Sequence, residues 1–286
     1  MKLRLITLFV ASWLSCALLS NFAWAGFEEG LAAANKGDFA TAFREWKPLA
    51  VQGNAEAQYS LGAMYDYGKG VPQDSKEALK WYRLAAVQGY VDAQHNVGMM
   101  YYTGQGASLD YKEAVKWFRL AAEKGHLDAQ NNLGVMYANG KGVPTDEKEA
   151  VKWYRLAAEK GNANAQNNLG AKYDNGQGVP KDDKEALKWY RLAAEQGNMN
   201  AQFNLGLMYD NGQGVPKDYK EALKWYRLAA EQGHLAAQNN LGGMYVKGQG
   251  VPQDFKEAEK WYRLAAEQGH PDAKSNLALL LKNKPK

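Results

Sequence analysis

The histidines are the residues of this chain best suited to bind a metal or to transfer a proton. Three of the four, His126, His234 and His270, each follow a glycine that ends a predicted helix. In other copies of the same sequence pattern the equivalent position holds Tyr90 or Asn162, and side chains so different cannot all be metal ligands. We therefore predict turn or helix-cap roles for these histidines, with no metal site and no cofactor.

No motif for nucleophilic catalysis or phosphate binding is present. The serine acylation set, Ser-x-x-Lys with Lys-Thr-Gly, does not occur, and no serine lies in a nucleophile-elbow pattern. Gly-x-Gly pairs such as Gly140 and Gly142 follow predicted helices instead of strands, so they indicate turns. We predict that the protein is not an enzyme.

The elements that position any binding residue come from a repeat of 36 residues. A period of about 20–50 residues indicates a solenoid, which offers a long shallow surface in place of a central cavity. The tryptophans lie at core spacing on a helix, so we interpret them as core and not as stacking platforms for sugars or bases. Trp-Tyr-Arg or Trp-Phe-Arg begins at Trp81, Trp117, Trp153, Trp189, Trp225 and Trp261.

The copy at residues 165–200 shows how one unit folds. Apolar residues recur at i, i+4 and i+8, and later at i, i+3, i+4, i+7 and i+8, which predicts two short amphipathic helices. Gly170 in the first helix would let another backbone approach closely. A glycine-rich stretch ends this helix, and Asp182 with Glu185 predicts a capping box at the start of the second. The predicted fold is all-α, a right-handed superhelical solenoid of antiparallel helix pairs.

The ends of the chain predict a leader and two caps. Residues 1–25 have a basic start, a short apolar run and a small-x-small site, which predicts a signal peptide cleaved after Ala25. The alternatives are an uncleaved anchor and lipidation at Cys16, the single cysteine. Residues 26–286 are expected to form one solenoid: a capping unit at 27–56, six repeats at 57–272, and a helix and tail at 273–286.

Composition bounds the location and partners. Without the predicted leader the chain has 33 basic and 31 acidic residues, interleaved in every repeat, so nucleic acid is not expected as a partner. We predict a periplasmic or secreted protein, monomeric, without membrane insertion after cleavage.

The repeat unit resembles a known family. Its frame reads Ala-Gln-x-Asn-Leu-Gly-x-Met-Tyr, then Gly-x-Gly-Val-Pro-x-Asp, then Lys-Glu-Ala-x-Lys-Trp-Tyr-Arg-Leu-Ala-Ala-Glu-x-Gly. This pattern is similar to the Sel1-like repeat, a relative of the tetratricopeptide repeat, over nearly all of the mature chain. The resemblance implies an adaptor of bacterial envelopes, of host-interacting secreted proteins or of eukaryotic degradation complexes. One branch, the cysteine-rich Helicobacter proteins, is linked to β-lactams, but it closes each repeat with a disulfide that this chain lacks.

The copies differ from one another mainly at three positions of the first helix, spaced by four and seven residues. Such offsets lie within about 60° on a helix, so these positions form one narrow stripe. We name it the variable stripe; copy by copy its members are Tyr59, Ala63, Asp66; His95, Met99, Tyr102; Asn131, Val135, Ala138; Asn167, Ala171, Asp174; Phe203, Leu207, Asp210; Asn239, Gly243, Val246.

The resemblance to tetratricopeptide repeats implies that this stripe lines a concave, peptide-binding groove. Its large, partly apolar members favour an interaction surface, while the alternative is solvent-exposed drift without function. Lys172 would add a single positive charge. The predicted partner-binding residues are Tyr59, His95, Met99, Tyr102, Asn131, Val135, Asn167, Lys172, Asp174, Phe203, Leu207, Asp210 and Asn239.

An asparagine follows the first stripe position in every copy except the first, which has Ser60. Its amide could clamp a peptide backbone, but recurrence favours a structural hydrogen bond to a neighbouring helix. These residues are Asn96, Asn132, Asn168, Asn204, Asn240 and Asn276.

The sequence thus favours an exported, non-enzymatic scaffold that binds a protein or peptide through its concave face, in envelope regulation or host interaction. The alternative is an envelope protein that binds or hydrolyses β-lactams or cell-wall fragments.

Overall fold

A computed structural model describes residues 25–283. The predicted signal peptide up to residue 24, Cys16 and the last three residues lie outside this range. Every regular element within it is an α-helix, which confirms the predicted all-α repeat fold. No helix of the described range is both long and apolar enough to cross a membrane.

The helices are short and almost uniform in length. Residues 25–35 are helical and form α1. The others are α2 (Phe39–Val51), α3 (Ala55–Tyr67), α4 (Ser75–Val87), α5 (Val91–Thr103), α6 (Tyr111–Glu123), α7 (Leu127–Asn139), α8 (Glu147–Ala158), α9 (Ala163–Asn175), α10 (Asp183–Glu195), α11 (Met199–Asn211), α12 (Tyr219–Glu231), α13 (Leu235–Lys247), α14 (Phe255–Glu267) and α15 (Pro271–Asn283).

The helices fall into two compact units. The first contains α1 to α6, the start of α7 up to Ala129, and residues Lys141–Pro144. The second contains Gln130–Gly140 and the chain from Thr145 onward. In both units the odd-numbered helices from α3 are the first helices of a repeat, and the even-numbered helices from α4 are the second.

Second helices begin at an aspartate whose carboxylate accepts hydrogen bonds from the first turn. Asp182 Oδ1 accepts from the backbone N–H of Lys184 at 2.9 Å and of Glu185 at 3.0 Å, which confirms the predicted N-cap. The acidic half of the predicted capping box is wrong. Glu185 turns along the helix instead and accepts from Trp189 Nε1 at 3.1 Å, because the buried indole needs an acceptor.

The glycine inside each first helix makes room for an aromatic ring. A Cβ at Gly170 would lie 2.8 Å from Cδ1 of Tyr190 on the second helix of its repeat, too close for any side chain. The expectation that Gly170 admits another backbone is therefore wrong, because the tyrosine ring fills that space. Tyr190 is buried, and so are the tryptophans of α4, α8, α10, α12 and α14, which confirms their core role. Trp117 of α6 is only partly buried but packs against the core of its unit.

Buried glutamines hold five of the first helices, α3, α5, α9, α11 and α13, to the second helix before them. Their Nε2 atoms donate to a carbonyl of the preceding second helix at 2.9–3.2 Å. Three glutamines at the end of the next second helix, Gln88, Gln196 and Gln232, add a bond, as from Gln196 Nε2 to Gln166 Oε1 at 2.7 Å. Gln268 stands at the same place but donates to the carbonyl of Leu264 instead. The donating residues are Gln58, Gln94, Gln166, Gln202 and Gln238.

Candidate partner-binding surface

In the first unit, the first stripe position of each repeat carries a ring that contacts another ring. Tyr59 lies 4.9 Å from Tyr90, centroid to centroid, and His95 stacks on His126 at 4.5 Å with an interplanar angle of 15°. In each pair the second ring belongs to the turn after the second helix of the same repeat. These side chains are consequently held in place by packing.

Tyr102, the last stripe residue of its repeat, is also fixed by neighbours. Its hydroxyl oxygen accepts from Lys141 Nζ at 3.1 Å, and the ammonium lies 4.9 Å from the centroid of its ring and 5.1 Å from that of Tyr111. The hydrogen bond that Lys141 donates to Tyr102 raises the pKa of Lys141. Cation–π contact therefore orders this end of the stripe.

In the second unit, the stripe combines one ring with several amides. Phe203 stacks on His234 with centroids 4.4 Å apart. Leu207 and Val135 pack as partly buried side chains against the core of this unit. None of the predicted partner-binding residues in either unit is largely exposed to solvent, and Asn131 is buried. The expectation of exposed apolar side chains is thus wrong, because neighbouring side chains cover most of the surface of each one.

The recurring asparagines bond the first helix of the preceding repeat where that helix offers an amide. Asn168 Nδ2 donates to Asn131 Oδ1 at 2.9 Å, and Asn276 Nδ2 donates to Asn239 Oδ1 at 2.9 Å. Asn204 makes the same bond to Asn167 at 3.1 Å. This geometry confirms the structural hydrogen bond, and it leaves part of each amide's capacity for other partners.

Lys172 does not present a free charge. Its Nζ lies 2.6 Å from Glu147 Oε2, and its side chain is only 12% exposed. The two side chains form an ion pair whose low exposure limits screening by solvent. The predicted single positive charge is therefore neutralised within the unit.

The aspartates of the stripe pair with buried tyrosines of their own repeat. Tyr226 Oη donates to Asp210 Oδ2 at 3.3 Å, and Tyr190 donates to Asp174. Burial, and then the charge of the neighbouring aspartate, raises the pKa of both tyrosines well above the usual range. Both hydroxyls therefore stay protonated and donate their hydrogen bond to the carboxylate.

Three histidines cap first helices, as predicted. His126, His234 and His270 each accept, through Nδ1, from the backbone N–H three residues on, at 3.2–3.3 Å. Asn162 does the same through its amide oxygen at 2.9 Å. Within residues 25–283, no group of three or more histidine, cysteine or acidic side chains could hold a metal ion.

One cavity opens beside the stripe in the second unit. Its volume is 250 Å³, and it lies where the sixth repeat has Gly243 in place of a larger stripe residue. Asp210, Asn240, Tyr262 and Asn276 are among the polar residues that line it. Sequence reasoning named Asp210 and missed the cavity, although the single glycine in the stripe was a visible signal.

The repeats match one family model along most of the described chain. The Sel1 repeat model matches residues 55–90, 91–126, 127–162, 163–198, 200–234 and 235–270. The chain belongs to the Sel1 repeat family. Five of the six Sel1 matches begin two residues before the predicted frame, at the first residue of a first helix, and the fifth begins at residue 200.

Two solved structures share both sequence and fold with this Sel1 repeat protein. The protein c5321, a protective antigen present in uropathogenic Escherichia coli strains, is 38% identical with a TM-score of 0.84 and covers 96% of this chain. The present chain spans 60% of the length of c5321. A Sel1 repeat protein from Oxalobacter formigenes is 36% identical with a TM-score of 0.78, covering 84% of this chain and 96% of that one. No curated protein matches the chain.

Proposed function

We propose that this Sel1 repeat protein is an exported, non-enzymatic scaffold that binds a protein or peptide through the variable stripe of its units. The observation that carries the proposal is the row of partly used amides on neighbouring first helices. Asn131, Asn168 and Asn239, Asn276 are fixed by mutual hydrogen bonds, yet each amide can make up to four. An extended peptide presents alternating N–H and C=O groups that suit such a row.

The neighbouring stripe residues supply selectivity in this proposal. Each repeat has its own polar or apolar contact for a partner. One repeat offers amides, and the next offers a ring or an aliphatic chain, such as Phe203 and Leu207. Because these side chains are already ordered by packing, little conformational entropy is lost when a partner binds. A rigid, half-buried stripe therefore favours binding as much as an exposed one would.

An experiment at one stripe residue tests the proposal. A photo-crosslinking amino acid at Leu207 in living cells should capture a defined partner, identified by mass spectrometry. Leu192, exposed on a second helix, is the matched control position and should not capture that partner. Equal capture from both positions, or none from Leu207, would contradict the stripe as the binding surface.

Substitutions copied from other repeats separate binding from folding. Phe203→Asn and Leu207→Ala install the residues found at Asn167 and Ala171, so the repeat frame accommodates them. Both variants should keep the helical circular dichroism spectrum and lose partner capture by a probe placed at a third stripe residue, Ala171. Unchanged capture would remove Phe203 and Leu207 from the site.

Export and a host-facing role are part of the same proposal. The composition of residues 1–25 supports export, and the protective-antigen status of c5321 favours a location that a host meets. The N-terminal sequence of the protein recovered from cells should begin at Gly26. Cleavage there keeps Phe27, whose carbonyl oxygen accepts from Trp46 Nε1 at 3.1 Å. A protein retained in the cytoplasm with residue 1 intact would contradict export.

A further inference from the structure

The polar cavity of the sixth repeat has a hydrogen-bond network that runs in one direction. Asn276 Nδ2 donates to Asn239 Oδ1 at 2.9 Å, and Asn239 Nδ2 to Asn240 Oδ1 at 3.5 Å. Asn240 then donates to the hydroxyl oxygen of Tyr226, which donates to Asp210. The direction is fixed because a carboxylate at the end can only accept.

The direction of the network decides which atoms it leaves for a ligand. Each asparagine uses one of its two N–H groups within the network, whereas the residues at its two ends, Asn276 and Asp210, both line the cavity and keep acceptor capacity, at Asn276 Oδ1 and at the remaining lone pairs of Asp210. The hydroxyl of Tyr262 also lines the cavity. In the fifth repeat the equivalent hydroxyl, Tyr226, is taken by Asp210, but Val246 stands at that place in the sixth. The wall therefore offers a carboxylate, an amide oxygen and a phenol oxygen that can each accept a hydrogen bond from a ligand.

Charge favours a cation in the same place. The carboxylate of Asp210 is half-buried and held by Tyr226, so its position is fixed. Lys247 also borders the cavity, but it is exposed at the last turn of α13, where the carbonyl ends of the helix favour a cation. Its long flexible stem can carry the ammonium into water, which leaves the fixed negative charge to face a ligand.

The size of the cavity suits one long side chain. A volume of 250 Å³ equals that of about eight liquid waters at about 30 Å³ each, far more than a single hydration site. A Cβ at Gly243 would make only an ordinary contact of 3.5 Å with Tyr262 Oη, so the space results from the missing side chain. Leu207 occupies the same stripe position one repeat earlier.

We propose that this cavity binds an arginine side chain of a partner peptide, the guanidinium bonding Asp210, Asn276 Oδ1 and Tyr262. Five N–H groups in a planar fork can reach acceptors on separate helices, which a lysine ammonium does less well. This proposal rests on the proposed function and specifies which residue of the partner the sixth repeat binds.

The test uses the full-length mature chain and a defined probe. The peptide acetyl-Ala-Ala-Arg-Ala-Ala-amide should shift the backbone amide signal of Gly243 in NMR titrations. The citrulline peptide, neutral and of the same shape, should bind at least about tenfold more weakly, since charge-assisted bonds are lost. Equal binding of both would overturn the proposal, and equal binding of the lysine peptide would overturn the choice of guanidinium. Agmatine binding as tightly as the peptide would overturn the assignment to a peptide.

Variants copied from other repeats provide the controls. Gly243→Leu fills the cavity as Leu207 does and should abolish the shift, whereas Lys247→Asn, copied from Asn211, should strengthen binding by removing a like charge. Asp210→Asn should weaken binding about tenfold, but Asp174→Asn, the same change two helices earlier, should not. Partner capture at Leu207 without arginine preference would end this inference and leave the proposed function standing.

Discussion

The buried glutamines provide a matched set for measuring what holds the repeats together. Gln166 and Gln202 each make two hydrogen bonds, one to a backbone carbonyl and one from a glutamine at the end of the next second helix. Gln94 and Gln238 make only the carbonyl bond, and their buried Oε1 atoms have no hydrogen-bond partner in the described chain. The test is to replace each of these four glutamines with leucine, which removes the amide group and nearly preserves the volume of the side chain.

The expected losses in the free energy of unfolding differ because the side-chain oxygen Oε1 accepts a hydrogen bond in two of the glutamines and none in the other two. All four changes lose the bond from the glutamine to a helix-end carbonyl, at about 1 kcal/mol, and that carbonyl keeps its bond from a backbone N–H. The changes at Gln166 and Gln202 also lose a second bond worth about 1 kcal/mol. Those at Gln94 and Gln238 instead remove an unpaired buried oxygen, which recovers about 1–3 kcal/mol. Gln166→Leu and Gln202→Leu should therefore destabilise the chain by about 2–4 kcal/mol more than the other two.

Urea unfolding followed by circular dichroism and tryptophan fluorescence measures this difference. Hydrogen exchange should accompany it, because a repeat array can lose cooperativity and unfold from its ends. Gln58→Leu is the control for position: Gln58 lies in the first repeat but makes two bonds, so it should behave like Gln166. Equal losses at all five glutamines, or losses that follow distance from the chain ends, would refute the reasoning.

Three further predictions follow from the caps, the ion pair and the missing nucleophile. Burial lowers the pKa of His234, so stability should be constant above about pH 7 and fall as pH drops through 6.5 towards the lowered pKa. Urea midpoints should show less of this loss in His234→Asn, since Asn198 caps the equivalent helix. Lys172→Met leaves Glu147 without its cation and should cost about 2 kcal/mol in urea unfolding, discounted for partial exposure, and adding Glu147→Tyr, copied from Tyr219, should restore stability. A chromogenic β-lactam should not be turned over by the purified protein; specific turnover would contradict the non-enzymatic proposal.

The fold could be predicted because the same local sequence signals recur in all six repeats. Aspartate before a helix, glycine after it and an apolar stripe within it specify two helices per unit whichever copy is taken. The role of Gly170 was harder to predict. A glycine in a helix signals a close neighbour without saying which, and only the packed structure places the ring of Tyr190 there.

The character of the candidate site was predicted less well. Variation among copies correctly selected positions outside the invariant core, but it could not show that Phe203 stacks on His234 or that Lys172 pairs with Glu147. These partners lie 31 and 25 residues away in the sequence, and contacts at such distances leave no local periodic signal. The sequence therefore predicts an exposed stripe, although neighbouring side chains partly bury it in the structure.

The ring pairs also change what variation in the stripe means. In five repeats the first stripe residue and the following turn residue match in kind: a ring with a ring, as at Phe203 and His234, or an amide with an amide, as at Asn167 and Asn198. Such coupled changes need no partner to explain them, since packing within the repeat accounts for both members. The sixth repeat alone breaks the match, with an amide and a histidine, and it also carries Gly243 and the open cavity. Where packing does not explain a residue, selection by a ligand is the simpler cause, so specificity should be sought first in the sixth repeat.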